Sequence, residues 1–141
     1  MPKSESPIPI AATARIGADY RVEISAGTHT ILADEPGTHG GTDAGPDPFA
    51  LLYAALASCV LITIRMYTSR KGWPLESAEI RILPMREPPG PLEGVRLELV
   101  LHGPALTADQ RLRIVDIASK CPVHRTLERP VHIETVEIPA R

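Results

Sequence analysis

The stretch Asp47–Gly72, DPFALLYAALASCVLITIRMYTSRKG, decides the fold. Asp47 is a good N-cap, and Pro48 suits the first helical position, where a missing N–H costs nothing. The helical pattern runs to Arg70 and Lys71, whose charges favour a helix C-terminus, and Gly72 can supply a left-handed cap. Pro74 confirms the stop. The reading predicts one helix over about residues 48–71, roughly 36 Å long at 1.5 Å per residue. Within it, Phe49–Ile64 is a run of 16 residues without a charge. A membrane span needs about 20 apolar residues, and Asp47 and Arg65 bracket this run, so a buried helix is expected instead. Its first two-thirds are apolar on every face, which predicts a helix surrounded by other elements. Ala54, Ala55, Ala57 and Ser58 are small enough to admit another backbone. A chain this short has few elements for wrapping such a helix, so a second copy is the expected neighbour.

Outward from the helix, the chain reads as strands on both sides. Towards the N-terminus, Tyr20, Val22 and Ile24 alternate with Arg21, Glu23 and Ser25, the period of a half-buried strand. Gly17-Ala18-Asp19 forms a turn before it. Ser25-Ala26-Gly27 reverses the chain into Thr28–Ala33, within N-terminal strands expected over about residues 10–33. Asp34–Asp47, DEPGTHGGTDAGPD, is then a long loop, of a kind that often carries function or covers a partner. Towards the C-terminus, Ala78, Ile80 and Ile82 alternate with charged residues. After the proline-rich turn REPPGPLEG, Val95, Leu97, Leu99 and Leu101 do the same. Thr107-Ala108-Asp109-Gln110 is a capping box, opening a helix with Leu112, Val115 (or Ile114) and Ala118 on its buried stripe. Cys121-Pro122 starts a short helical turn, and Val131–Ile138 reads as a final strand. The order βββ-α-ββ-α-β is that of a single α+β domain over residues 1–141, its C-terminal αβ part occupying about residues 76–138.

Composition narrows the function. In 141 residues, 43% are hydrophobic and 23% charged, ordinary for a globular protein large enough to bury a core. Aromatics at 4% leave that core to Leu, Ile, Val and Ala. A formal net charge of −2 with no large basic cluster argues against nucleic-acid binding. The N-terminus, MPKSESPIPIAATARI, has no apolar core of signal-peptide length. Two cysteines do not make a secreted disulfide scaffold, so a cytoplasmic location is expected, where a cysteine pair is more often catalytic or metal-binding.

Those cysteines lie in contrasting surroundings. Cys121 sits in Ser119–Thr126, SKCPVHRT, where it can cap the turn begun by Pro122. Amide groups and the positive dipole end there favour a thiolate, and His124 and Arg125 add positive potential. Cys59 lies mid-helix in LASCVLIT, where a cysteine usually acts as a small hydrophobe. Metal binding competes: Cys59, Cys121, His124 and one of His29, His39, His102 or His132 make a Cys2His2 set, but no CxxC or HxxxH spacing supports it. No nucleophile elbow points to acyl transfer.

Three motifs in order, ADEP…GGTDAGPDPFALLYAALASC, RMYTSRKGWPLE and LTADQRLRIVDIASKCPVHRTLE, resemble the OsmC/Ohr family of thiol-dependent hydroperoxide reductases. The nearest resemblance is to the OsmC-like redox proteins with the CPVHRTL ending, over roughly residues 29–135. It implies an intertwined homodimer in which two long central helices pack between sheets, with active sites at the subunit interface. It implies that Cys59 is the peroxidatic cysteine, attacking an organic hydroperoxide, and that Cys121 resolves the sulfenic acid into a disulfide. An external dithiol reductant, lipoyl-type in this family, reopens the bond. No cofactor, metal, nucleic acid or membrane is implied. Phe49, Leu52, Ala55, Leu56 and Ile62 are the expected apolar lining for the hydroperoxide, and Arg21 or Arg15 the expected activator of the thiolate. Where the family has a glutamate that orients this arginine, this chain has Phe49. That departure keeps a second expectation in view: a non-enzymatic dimer of the same fold binding a small apolar or thiol ligand at its interface.

Overall fold

The computed structural model describes residues 9–86 and 90–140. The proline-rich turn is therefore described only at its two ends, and the first half of the segment inspected for a leader lies outside the described residues. The chain forms two compact units, one ending at Leu52 and the other beginning at Tyr53.

In the first unit, β1 (Thr13–Ile16), β2 (Val22–Ala26) and β3 (His29–Ala33) form an antiparallel sheet in that order. Val22, Ile24 and Ala26 are half-buried and alternate with exposed Glu23 and Ser25, the pattern that made β2 legible. Gly27, with φ +60°, turns the chain between β2 and β3. Residues 34–47 then form a closed knot around Asp34. This buried carboxylate accepts hydrogen bonds from the Thr42 hydroxyl (2.7 Å), the Thr42 amide (3.2 Å), and the amides of Glu35 (2.8 Å) and Ala44 (3.1 Å). The Thr42 hydroxyl contributes most, and with the three amides it overcomes burial and lowers the Asp34 carboxyl to about 2. The loop backbone is too tight for side chains at two points. A Cβ at Gly41 would stand 1.9 Å from the Glu35 carbonyl oxygen, and one at Gly45 would stand 2.0 Å from that of Leu32.

Helix α1 spans Pro48–Lys71, beginning at the end of the first unit and continuing in the second. Its ends follow the sequence signals. The Ala50 amide donates to Asp47 Oδ1 at 2.8 Å. At the other end Gly72 has φ +68° and the Trp73 amide reaches back to the Thr68 carbonyl at 2.9 Å, a Schellman-type close.

In the second unit, β4 (Ser77–Met85) and β5 (Gly94–His102) pair antiparallel. The register sets Ala78 opposite Leu101, Ile80 opposite Leu99 and Ile82 opposite Leu97, so one face is wholly aliphatic. α2 spans Ala108–Ala118 with the capping box formed in both directions, and α3 spans Pro122–Leu127. Leu56, Val60 and Ile64 of α1 share a core with Leu75, Leu106, Ile114, Ala118 and Cys121, against which the aliphatic face of β4 and β5 packs.

Two expectations are corrected, those for α2 and for residues 131–138. Within one chain the buried residues of α1 are Leu56, Val60, Ile64 and Thr68, a single stripe at every fourth position. Ile62 and Met66 are more than half exposed, because the elements of one chain cover only one side of the helix. By length and composition α1 is also apolar enough to cross a membrane. On α2 the buried residues are Ile114, Ile117 and Ala118, while Leu112 and Val115 face outward. Arg111 fixes this rotation by donating to the carbonyls of Leu101 (3.2 Å) and Gly103 (2.8 Å). Finally, residues 131–138 form no strand and lie exposed. A strand exists only where its N–H and C=O groups find a ladder partner, and this segment has none among the described residues.

Candidate redox site

The two cysteines meet in the second unit. Cys59 lies on α1 one turn after Leu56 and is half-buried; Cys121 is fully buried. Both are free thiols. Chain geometry around Cys121 follows from Pro122, which starts α3 and holds Cys121 in the extended conformation of an N-cap. In that position Cys121 Sγ accepts the His124 amide at 3.2 Å. Cys59 packs against the buried core that contains Cys121 and lies close enough to act on its ionisation.

Three influences set the ionisation of Cys121. Burial pushes the thiol above its ordinary value near 9.0, and the neighbouring Cys59 pushes the same way. The amides of His124 and Val123 oppose them without prevailing. Cys121 therefore holds its proton more firmly than a free thiol.

A cavity of about 390 Å³ lies near the pair, reached through their neighbours and not lined by either cysteine. Leu56 and the His124 side chain line it, the first one turn from Cys59 and the second attached to the amide that caps Cys121. Leu92, Val95, Leu97 and Leu127 supply most of the remaining apolar wall, and Glu93 and Glu128 carry its charge. His124 Nδ1 stands 2.8 Å from Glu128 Oε1 but off the direction of a hydrogen bond, so this buried nitrogen has a neighbouring charge without a directed partner.

The other residues singled out in the sequence are spread more widely. Of the expected lining, Leu56 borders this cavity, and Ile62 borders a second hollow with Leu61, Arg65 and Met66. Ala55 is exposed on α1, while Phe49 and Leu52 belong to the first unit. Arg15 is exposed on β1, and Arg21 grips Asp19 through Nη2 (2.8 Å) and Nε (3.1 Å) on the surface of the first unit. His29 and His39 are also in the first unit, and His102 Nε2 lies 2.7 Å from Glu79 Oε2. Among the described residues no three His, Cys, Asp or Glu side chains gather as a metal set. Sequence reading missed Glu93, Glu128 and the β5 wall. His124 and Glu128 carried a signal, being four apart on one helical turn. Glu93, brought in by the register of β5, carried none.

The family profile of the OsmC-like proteins matches residues 40–136, a span holding both cysteines and the cavity. The chain belongs to the OsmC-like family. No curated protein matches it by sequence. Among solved structures, the OsmC-like protein of Mycoplasma pneumoniae superposes with a TM-score of 0.74 at 22% identity, covering 87% of this chain and 89% of that one. The organic hydroperoxide resistance protein OsmC of Legionella pneumophila gives 0.62 at 23% identity, covering 87% and 91%. The organic hydroperoxide resistance protein OhrB of Bacillus subtilis gives 0.56 at 20%, covering 86% and 91%. These likenesses establish the OsmC-like α+β fold for this chain.

Proposed function

We propose that this OsmC-like protein is a thiol peroxidase that reduces organic hydroperoxides to alcohols in the reducing cytoplasm. The observation that carries the reading is that two free thiols, Cys59 and Cys121, meet at one core near an apolar cavity. In the first step the Cys59 thiolate attacks the terminal oxygen of ROOH. The O–O bond breaks, Cys59 becomes a sulfenic acid, and the departing alkoxide takes a proton to become ROH. In the second step Cys121 attacks the sulfenic sulfur, giving the Cys59–Cys121 disulfide and one water. An external dithiol then returns both thiols by exchange and leaves as its own disulfide. The Legionella and Bacillus proteins, which share this fold, are named for organic hydroperoxide resistance, which supports the choice of oxidant.

The working molecule on this reading is a homodimer. Support comes from the uncovered face of α1 with Ile62 and Met66, and from the unpaired segment 131–138. Arg15 and Arg21 stand as candidate activators to be tested singly by substitution with glutamine.

The test is stoichiometric. Reduced protein treated with one equivalent of cumene hydroperoxide should lose two thiols per chain. Cys59→Ser should be inert, and Cys121→Ser should stop as a sulfenic acid trapped by dimedone. Phe49 at the position of the family glutamate favours a second reading, a ligand-binding protein without turnover. Thiols surviving excess peroxide in the folded wild type would decide for it.

A further inference from the structure

The lining of the cavity beside the cysteines is chemically lopsided. Its body is aliphatic, from Leu56, Leu92, Val95, Leu97 and Leu127. Its ionisable lining residues are Glu93, Glu128 and His124; no lysine or arginine among the described residues lines it. His124 Nδ1 lies 2.8 Å from Glu128 Oε1, and the Glu128 side chain is 65% exposed. An apolar guest entering here therefore meets two carboxylates, with no lysine or arginine among the described lining residues to offset them. A guest with its own carboxylate is repelled, and the repulsion is strengthened by the low-dielectric walls. A neutral guest suffers no such penalty, and an ammonium group is attracted.

We propose that this cavity seats the apolar body of the hydroperoxide, and that Glu93 and Glu128 make the site select neutral or amine-bearing hydroperoxides against fatty-acid hydroperoxides. The proposal rests on the peroxidase reading for its chemistry, but its charge selectivity is a property of binding alone. It deepens that reading by assigning a substrate class and by giving Glu93 and Glu128 a specificity role.

Two measurements test it. The first compares kcat/KM for the hydroperoxide of linoleic acid and for its methyl ester, both kept below their micelle concentrations at pH 7.5. The ester is expected to be favoured by more than about tenfold in low salt, with the ratio shrinking as salt screens the carboxylates. In the Glu93→Gln/Glu128→Gln double variant the ratio should fall towards one. The salt series on the wild type retains the test if that variant does not fold. The second measurement is calorimetric titration of reduced Cys59→Ser with decylamine and with decanoate, which needs no turnover. Decylamine is expected to bind at least about tenfold more tightly. Selective binding without peroxide consumption would overturn the peroxidase reading and leave the charge selection standing. Peroxide consumption with equal acid and ester rates, or equal binding of amine and carboxylate, would overturn the charge selection alone.

Discussion

Asp34 and Cys121 are both buried, yet their neighbours move them in opposite directions. Asp34 gathers four donated hydrogen bonds, more than enough to offset its desolvation, and its carboxyl falls to about 2 from an ordinary 3.8. At Cys121 the amides of His124 and Val123 act against burial and the neighbouring Cys59, and burial prevails. A depressed carboxyl stabilises the fold above its unfolded value and loses that contribution as pH falls through the folded value. The first unit should therefore lose stability between about pH 4 and pH 2. Asp34→Asn should flatten that acid limb and lower the melting temperature at pH 7 by roughly 5 °C or more. Circular-dichroism melts from pH 2 to 7 would measure both. A melting curve of the variant that keeps the wild-type acid limb would refute the assignment. At this scale, the cap at Cys121 was legible from the proline that follows it. Its burial was not, since that depends on Leu56, Val60 and Ile114, brought in from remote segments.

The elements were legible where local chemistry specifies them. Asp47-Pro48 and Gly72 bound α1 at the residues their types favour, and Thr107 with Gln110 starts α2. Which face turns inward was legible only where the pattern is unambiguous, as on β4 and β5. On α2 both Leu112 and Val115 and the pair Ile114 and Ile117 fit a helical repeat. A tertiary contact decides between them: Arg111 bound to the end of β5. Ile114→Ala should consequently cost about 2–5 kcal/mol, as for a large-to-small change in a core. Leu112→Ala, at 70% exposure, should cost within about 0.5 kcal/mol. Urea unfolding midpoints at constant m-value compare the two directly, and equal shifts would contradict the observed rotation.

For the whole molecule, the sequence announced an apolar helix without saying what covers it. One chain covers a single stripe of α1 and leaves Val131, Ile133, Val136 and Ile138 exposed. Both features have one economical resolution in a second copy, whose elements can bury the helix face and offer a ladder to residues 131–138. Sedimentation at micromolar concentration should accordingly give a dimer. Ile62→Glu/Met66→Glu should shift it to a monomer by placing two carboxylates on the helix face. A wild-type monomer would remove the dimer from the account. A dimer unmoved by the double substitution would place its interface away from Ile62 and Met66.

The amide that caps Cys121 gives the protein a label-free indicator. Because the His124 N–H points at Sγ, its proton resonance depends on how strongly that sulfur accepts: most as a thiolate, less as a thiol, least in a disulfide. One cross-peak in a nitrogen-15 spectrum thus carries the oxidation state of the pair. Turnover becomes observable in real time without a dye, a coupled enzyme or a modified cysteine.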